Sequence, residues 1–359
     1  MLFALPHDDI LYDALLRRDP TYDGRVFVGV TSTGIFCRLT CPARKPKREN
    51  CRFYESVATA LEAGFRPCKR CHPLAPAAGS DPAVTDLLGA LGADPTRRWS
   101  ESDIAARGHD PSTVRRAFRR HFGMTFLELA RLSRVKSGLK AIGDGAKVVE
   151  AQFEAGYESA SAFRAAFARL LGEAPAAFTG REALKADVIN TPLGPMLAVC
   201  DADRLHLLEF AERKALKGEL ARLRKAVDGD LGIGRTGVTD RIEAELVRFF
   251  AGEGADFQTP LALHGTDFTR RVWTELMTIP AGATRSYGEI AAAIGQPTAT
   301  RAVARANGAN QIAIVIPCHR VIGADGTLTG YGGGLWRKQT LIDLERRYAG
   351  ATSERRAAS

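Results

Sequence analysis

Apolar residues are spaced in three different ways along the chain. From residue 83 to about 182 they recur every three or four positions, which predicts a series of short amphipathic helices. Two strand-like runs follow at 186–191 and 195–210, joined by turn residues. From Thr266 onward the helical spacing returns, with a Gly-rich segment at 329–334. The pattern therefore predicts a multidomain α+β protein.

The helical region contains an internal repeat. In the segment 106–123, Asp110 is placed to cap a helix, Pro111 suits its first position and Gly123 suits the position after its end. A shift of 49 residues brings the segment 154–172 onto this one. The aligned pairs are Val114 with Phe163, Phe118 with Phe167, Phe122 with Leu171, Gly123 with Gly172 and Arg115 with Arg164. Two units are too few for a solenoid and predict a tandem helix-turn-helix domain.

The first of these two units has a basic outer face. Opposite the apolar residues it carries four arginines and no acidic residue: Arg115, Arg116, Arg119 and Arg120. A helix that enters the major groove has this charge pattern, so these residues and Arg164 are candidates for DNA contact. The second unit is much less basic and either contacts bases weakly or mainly packs. A helical spacer domain is the alternative, since this geometry also occurs without DNA.

Composition and charge indicate globular domains that meet a polyanion. The 359 residues are 45% apolar and 25% charged, enough for two or three domains, and the formal net charge is +9. Segment 33–72 has nine Lys and Arg against three acids, and segment 113–140 has eight against one. Because no run approaches 18 apolar residues and the start lacks a signal peptide, we expect no membrane span and a reducing cytoplasm.

Two pairs of cysteines lie inside the first basic segment. Cys37 and Cys41 have the spacing C-x3-C, and Cys68 and Cys71 have the spacing C-x2-C. Such pairs commonly hold one tetrahedral Zn2+ through four thiolates, so we expect a small four-cysteine zinc domain. Accidental spacing is the alternative. Cys51, between the pairs, is expected to be an ordinary buried residue.

The basic surroundings suggest that this zinc site does more than hold the fold. Most four-cysteine zinc sites are structural. A centre with four thiolates carries a net charge of about −2, and alkylation of one thiolate would reduce that to about −1. Its repulsion of a phosphate backbone would then fall, which would act as an electrostatic switch on DNA affinity.

The segment 28–73, which begins VGVTSTGIFCRLTC and ends FRPCKRCHP, resembles the amino-terminal domain of the Ada family. The resemblance implies that the four cysteines are the zinc ligands and that Cys37 accepts a methyl group from a DNA phosphotriester. It places four residues near the DNA backbone: Thr33, Arg44, Arg66 and Arg70. The tandem helix-turn-helix is similar to AraC-type regulators, a module that Ada proteins carry between their two chemical domains.

A third candidate site is IPCHRVIG, residues 316–323, where a cysteine and a histidine end an apolar run. The Cys318 thiol is mostly protonated at neutral pH, and His319 can take its proton if a carboxylate orients the imidazole ring. Glu345 and Asp343 are both candidates for that carboxylate. The alternative is an inert buried thiol beside a satisfied histidine.

Residues 285–345 closely resemble the O6-alkylguanine-DNA alkyltransferases. The resemblance implies that Cys318 accepts one alkyl group, that His319 relays its proton and that Glu345, 27 residues after the cysteine, orients the histidine. The other implied roles are a structural asparagine (Asn310), a tyrosine that assists the leaving guanine (Tyr287), an arginine that replaces the flipped base in the duplex (Arg301) and a pocket wall (Tyr331). Gly332 stands where some relatives have a serine, so the hydrogen bonds to O6 are expected to differ.

We therefore predict four domains along the chain. They are a zinc-binding, methylphosphotriester-accepting domain (1–78), an AraC-type double helix-turn-helix domain (83–182), an α/β subdomain (187–263) and a helical alkyltransferase domain (264–349). The last contains a winged-helix-like helix-turn-helix at 288–307, with Arg301 on its second helix.

The predicted function is a single-turnover DNA repair methyltransferase. Methyl groups would pass from O6-methylguanine and O4-methylthymine to Cys318 and from methylphosphotriesters to Cys37, the latter turning the protein into an activator of the alkylation response. We expect one Zn2+, double-stranded DNA and RNA polymerase as partners, a monomer, and a place in the bacterial cytosol with the nucleoid. The alternatives are a zinc-containing DNA-binding regulator or damage sensor without methyl transfer, and repair without regulation.

Overall fold

The structure is a computed structural model that describes residues 7–19, 22, 26–55, 57–71, 73, 82–178, 184–227 and 231–357. Contacts divide the chain into two units, 1–86 and 87–359. Among the described helices, none combines the length and the apolar character that crossing a membrane requires.

In its described residues, the amino-terminal unit contains a four-stranded sheet and two α-helices. Its elements are α1 (Asp8–Arg17), β1 (Phe27–Val30), β2 (Ile35–Arg38), β3 (Cys51–Tyr54), α2 (Val57–Glu62) and β4 (Arg66–Pro67). The strand order is β3-β1-β2-β4, with β2 antiparallel to β1 and parallel to β4. Gly34, in the turn between β1 and β2, has a φ of +67°, which favours glycine. Leu11 and Leu15 pack into the same core as Val28 and the cysteines.

Six helices form the next region, and they contain the predicted repeat. They are α3 (Pro82–Ala93), α4 (Glu101–Ala106), α5 (Pro111–Phe122), α6 (Phe126–Gly143), α7 (Val148–Glu154) and α8 (Ala160–Leu171). Asp110 caps α5 by accepting a 2.8 Å hydrogen bond from the Thr113 N–H, and Gly123 ends the helix with a φ of +70°. Ser159 and Gly172 take the equivalent positions around α8. The predicted caps and the 49-residue repeat are thus present in the fold.

A second sheet follows, as the two apolar runs predicted. Its elements are β5 (Leu184–Ile189), β6 (Met196–Cys200), β7 (Leu205–Phe210), α9 (Leu216–Val227), β8 (Leu231–Ile233) and α10 (Gly237–Ala251). The strand order is β7-β6-β5-β8, and β6 is antiparallel to both of its neighbours. Phe163 and Phe167 of α8 share a hydrophobic core with Val188 and Leu207 of this sheet.

The last region is mainly helical and delivers Cys318 to a buried position. Its elements are α11 (Asp267–Met277), β9 (Arg285–Ser286), α12 (Tyr287–Ala293), α13 (Thr300–Gly308), β10 (Val321–Ile322) and α14 (Leu335–Ala357). Helices α12 and α13 are the predicted pair at 288–307. Ile312, Ile314 and Ile316 are buried and lead into a 3-10 turn at Cys318–Arg320. Parallel pairing of β9 with β10 then brings Tyr287 towards the same place.

Candidate functional site

The four predicted zinc ligands converge in the amino-terminal unit. Cys37 lies in β2 and Cys68 directly follows β4, and these strands are parallel neighbours. All four Sγ atoms lie within 4.8 Å of one another, with 3.9 Å between Cys41 and Cys68. Tetrahedral Zn2+ with Zn–S bonds of about 2.3 Å requires sulfurs about 3.8 Å apart. The donor set and its spacing therefore fit Zn2+, which would keep the thiols deprotonated.

The fifth cysteine of this unit is not a ligand. Cys51 is fully buried, and its thiol donates a 3.3 Å hydrogen bond to the Lys47 carbonyl. It lies outside the cluster of four, as the sequence predicted.

Backbone N–H groups distinguish the four sulfurs from one another. Cys71 accepts a hydrogen bond of 3.4 Å from the Arg38 N–H, and Cys68 accepts one of 3.4 Å from the Arg70 N–H. The Cys41 sulfur accepts from the backbone of Ala43. Among the hydrogen bonds of the described residues, Cys37 receives no backbone donor. Each N–H donor withdraws negative charge from the sulfur that accepts it, so these contacts lower the charge density on Cys41, Cys68 and Cys71.

The pKa values of two of the four thiols are shifted in opposite directions. A hydrogen bond with Cys71 raises the pKa of Cys37, and the same contact lowers the pKa of Cys71 to about 5. The ammonium of Lys45 lies close by and donates to the carbonyls of Leu39 and Cys41 at 3.2 and 3.3 Å. The four residues predicted to lie near DNA in this unit are exposed: Thr33, Arg44, Arg66 and Arg70.

The helix-turn-helix residues lie on the surface of α5 and α8. Arg115, Arg116, Arg119 and Arg164 are exposed, whereas the side chain of Arg120 lies outside the described part of the chain. Arg115 forms an ion pair with Glu101 of α4, so the expectation that no acid neutralises this basic face is wrong at that position. The two charges meet because α4 and α5 pack together, which the spacing within α5 could not reveal.

Cys318 is held by an amide side chain. Its thiol is buried, and Asn310 Nδ2 donates to Sγ at 3.0 Å and to the Ile316 carbonyl at 2.9 Å. Asn310 Oδ1 accepts from the Ile312 N–H at 3.0 Å, so the amide is fixed at both ends. The side-chain hydrogen bond to the thiol therefore comes from Asn310 and not from the neighbouring histidine.

His319 pairs with Glu345, not with Asp343. His319 Nε2 lies 2.8 Å from Glu345 Oε1, and both side chains are fully buried. Arg320 donates to both carboxylate oxygens, at 2.9 Å through Nε and 2.8 Å through Nη2. Burial alone would raise the pKa of Glu345, but His319 and Arg320 lower it to about 2. Within the described residues, His319 Nδ1 makes no protein hydrogen bond.

Burial raises the pKa of Cys318 to about 11, against the opposing effect of the Asn310 hydrogen bond. The Cys318 thiol is therefore protonated at neutral pH and needs a proton acceptor before it can act as a nucleophile. Lys338, which is also fully buried, donates to the carbonyls of Val321 and Thr329 beside this site.

A pocket of about 420 Å³ opens onto Cys318. Tyr287 and Tyr331 line it, and the Tyr287 hydroxyl donates to the Thr329 carbonyl at 3.4 Å. Arg301 is exposed on α13, outside the pocket lining. The remaining wall includes Asn310, Glu209, Arg213 and the glycines at 330, 332 and 333.

Three family models match successive parts of the chain. The metal binding domain of Ada matches residues 11–73, a helix-turn-helix domain matches 105–181, and the DNA binding domain of 6-O-methylguanine DNA methyltransferase matches 267–347. The Escherichia coli protein called bifunctional transcriptional activator/DNA repair enzyme Ada is 34% identical over 94% of this chain and 96% of its own length.

The chain belongs to the Ada family.

Membership in the Ada family confirms the predicted fold class, the cysteine methyltransferase activity, the combination of repair with regulation and the zinc-binding domain. The methylated-DNA–protein-cysteine methyltransferase of Mycolicibacterium paratuberculosis is 57% identical over 36% of this chain and 81% of its own length. A solved structure, that of Mycobacterium tuberculosis OGT in complex with DNA, is similar at 44% identity and a TM-score of 0.40, covering 46% of this chain and 93% of that one.

Several residues at the Ada-type sites were not anticipated from sequence. They are Lys45 at the cysteine cluster and Glu209, Arg213, Arg320 and Lys338 at the Cys318 pocket. Arg320 follows His319 directly in the PCHR sequence and could have been considered as a second partner of the carboxylate. Arg213 gave no local signal, because the carbonyls of Asn310 and Gly308 that it contacts lie 97 and 95 positions away in the chain.

Proposed function

We propose that the chain is a single-use repair methyltransferase with two acceptors, Cys318 for methylated bases and Cys37 for methylphosphotriesters. The observation that supports this best is the buried Cys318 thiol, held 3.0 Å from Asn310 Nδ2 in a pocket, next to a His319–Glu345 pair 2.8 Å apart. An inert buried cysteine does not need a neighbouring imidazole with a buried carboxylate behind it.

Transfer to Cys318 moves one methyl group and one proton in opposite directions. The methyl group of O6-methylguanine, or of O4-methylthymine, is buried in the duplex, so the base must be flipped into the pocket. The thiol gives its proton to the His319–Glu345 pair, and an S–C bond forms as the C–O6 bond breaks. The departing guanine takes a proton through the Tyr287 hydroxyl, which makes it a better leaving group. The thioether product is stable, so each Cys318 acts once.

Transfer at Cys37 uses a simpler displacement. Zn2+, held by the four cysteines, would keep the sulfur deprotonated without a base. The Cys37 thiolate attacks the methyl carbon of a phosphotriester, and the phosphodiester anion leaves. No proton is needed, because the leaving group is stable as an anion.

The remaining assignments rest on the family resemblance. We assign Arg301 to the space left by the flipped base and Tyr331 to the base pocket. We assign phosphate and groove contacts to Thr33, Arg44, Arg66 and Arg70 in the amino-terminal unit, and to Arg115, Arg116, Arg119, Arg120 and Arg164 in the helix-turn-helix domain. We place domain limits at 1–78, 83–182, 187–263 and 264–349, with a monomer acting on double-stranded DNA in the cytosol and, once methylated, contacting RNA polymerase.

Mass spectrometry of the intact chain tests both acceptors. After incubation with duplex DNA that carries O6-methylguanine and methylphosphotriesters, we expect two added methyl groups, mapped to Cys318 and Cys37. Cys318→Ala should leave one methyl, on Cys37, and Cys37→Ser should leave one, on Cys318, whereas Cys51→Ser should accept both. An unchanged mass for the unaltered chain would contradict the proposal and favour a DNA-binding damage sensor without transfer.

Methylation of Cys37 should raise the affinity for promoter DNA. The centre would go from about −2 to about −1, and removing one charge a few ångströms from a phosphate is worth roughly 1–2 kcal/mol, or about 5- to 30-fold in affinity. The measurement is promoter binding as a function of salt, and protein methylated at Cys318 alone is the control. Equal affinity and an equal salt slope with and without methyl on Cys37 would eliminate the switch.

A further inference from the structure

One wall of the Cys318 pocket is formed by an arginine that lies against a glycine. A Cβ atom built on Gly332 would meet the Arg213 guanidinium at 2.7 Å from Cζ, 2.7 Å from Nε and 2.9 Å from Nη2. Cβ atoms do not approach other atoms this closely, so the guanidinium occupies the space that a side chain at position 332 would need. Both residues line the pocket that contains Cys318.

The guanidinium is held firmly from its far side. Nη1 of Arg213 pairs with Glu209, lies 3.2 Å from Glu219 Oε1 and donates to the Asn310 carbonyl at 3.2 Å. Nη2 donates to the Gly308 carbonyl at 2.9 Å. The side chains of Glu209 and Glu219 are 2% and 1% exposed, so the guanidinium is held by buried carboxylates and not by surface contacts.

The anchored contacts leave the Nε and Nη2 edge of Arg213, a residue that lines the pocket, without a partner among the described residues. The hydrogen bonds described for this residue account for Nη1 and for one N–H of Nη2. The Nε–H and the second Nη2 N–H have no acceptor among the described residues, and Gly332 lies against the flat face of the guanidinium, which leaves this edge uncovered by a side chain at position 332. Two parallel N–H donors on one edge of a guanidinium match the O6 and N7 acceptors of guanine, the commonest specific contact between arginine and a base.

We propose that Arg213 is a specificity-determining residue, which uses its Nε and Nη2 edge to recognise the O6/N7 edge of the flipped guanine in place of the side chain that Gly332 lacks. The inference rests on the proposed transfer to Cys318. Thymine presents a methyl group where guanine presents N7, so the same arginine disfavours O4-methylthymine. The Asn310 carbonyl contact ties this recognition to the residue that holds the Cys318 thiol.

Replacement of a single atom in the substrate tests the proposal. Rates of methyl transfer to Cys318 in the full chain are measured on duplexes with O6-methylguanine and with O6-methyl-7-deazaguanine, which carries C–H in place of N7. For each protein, the rate on O6-methylguanine is divided by the rate on the 7-deaza base. This ratio should be roughly 3- to 10-fold larger for the unaltered chain than for Arg213→Met, because the 7-deaza base removes about half of a bidentate contact. The Arg213→Met variant should also narrow the preference for O6-methylguanine over O4-methylthymine.

Because each variant is compared with itself on two substrates, partial unfolding does not affect the ratio. Lys214→Met, which removes a charge from the exposed neighbour, should retain the full 7-deaza loss. If the 7-deaza base slowed transfer by the same factor in Arg213→Met as in the unaltered chain, the role of Arg213 would be overturned. The same holds if the 7-deaza base slowed transfer in neither protein. Failure of the proposed function looks different, since the unaltered chain would then transfer no methyl from O6-methylguanine.

A second pair of variants tests the geometry. Gly332→Ala alone should slow methyl transfer to Cys318, since its Cβ would displace Arg213. In a chain that already carries Arg213→Ala, adding Gly332→Ala should leave the transfer rate nearly unchanged. Equal effects of Gly332→Ala in both backgrounds would contradict the close contact.

Discussion

Replacement of Glu345 with glutamine should destabilise the carboxy-terminal unit by about 3–5 kcal/mol, as expected when one partner of a buried ion pair is removed. The carboxylate is fully buried and accepts hydrogen bonds from Arg320 through both oxygens, from His319 at 2.8 Å and from the Gly282 N–H at 3.3 Å. Glutamine keeps the shape but has one acceptor oxygen, and it leaves the buried Arg320 cation without a counter-charge.

Methyl transfer by Glu345→Gln should slow by more than its loss of stability explains. Without the carboxylate, nothing in the pair stabilises a protonated His319 ring, so the thiol proton has no acceptor. We expect methyl transfer to Cys318 to slow roughly 10²- to 10⁴-fold, the range for losing general acid–base catalysis. The measurements are denaturant unfolding and single-turnover transfer at a temperature at which the variant remains folded.

Asp343→Asn is the matched control, because Asp343 lies on the same helix two residues away and its Oδ1 accepts from Gln339 at 3.0 Å. It should transfer methyl at close to the normal rate. If Asp343→Asn and Glu345→Gln slowed transfer equally, the relay would not run through Glu345.

The Glu345 carboxylate also makes the folding stability depend on pH. Against the effect of burial, His319 and Arg320 lower the pKa of Glu345 to about 2, below the value of about 4.3 for an unfolded glutamate. A group with a lowered pKa contributes stability that is present above its unfolded pKa and is lost as pH falls through the folded pKa. The contribution of Glu345 is therefore complete above about pH 4.3 and disappears towards pH 2.

Local features of the fold could be predicted from sequence because their causes are local. Asp110, Pro111 and Gly123 fix the ends of α5 through their own backbone chemistry, and the structure has α5 with those ends. The two cysteine pairs identified the metal cluster because chelating turns keep their spacing in the chain. Cys318 and His319 were found for the same reason, since they are neighbours in sequence.

Charged residues with distant partners could not be predicted in this way. Arg213 is 97 positions from the carbonyl of Asn310 that it contacts, and its role depends on the packing of β7 against the loop before Cys318. From the residues alone, Glu345 and Asp343 were equivalent; only the family resemblance and then the structure separated them. The Glu101 partner of Arg115 was missed because it lies on another helix.

Removal of zinc should unfold the amino-terminal unit while leaving transfer to Cys318 within about two-fold of its normal rate. Structural zinc contributes apparent binding energies of about 10–16 kcal/mol to small domains at pH 7, more than the stability of most domains. Among the described residues of this unit, the main hydrophobic core has ten buried members, of which Cys37, Cys41 and Cys68 belong to the four-cysteine cluster. Apart from these three cysteines, the core consists of three leucines, two valines, an alanine and Cys51.

Hydrogen exchange of the full chain, with and without a chelator, measures the effect in each unit. Amides of β1, β2 and β3 should lose protection, and amides of β5, β6 and β7 should keep it, because the described part of the second unit has two large cores of its own. Cys68→Ser should behave like chelation even with zinc present, since three thiolates bind the metal less tightly, whereas Cys51→Ser should retain the metal and the protection. Persistent protection of β2 after complete loss of zinc would mean that packing alone holds this unit, and the metal would then serve only the reactivity of Cys37.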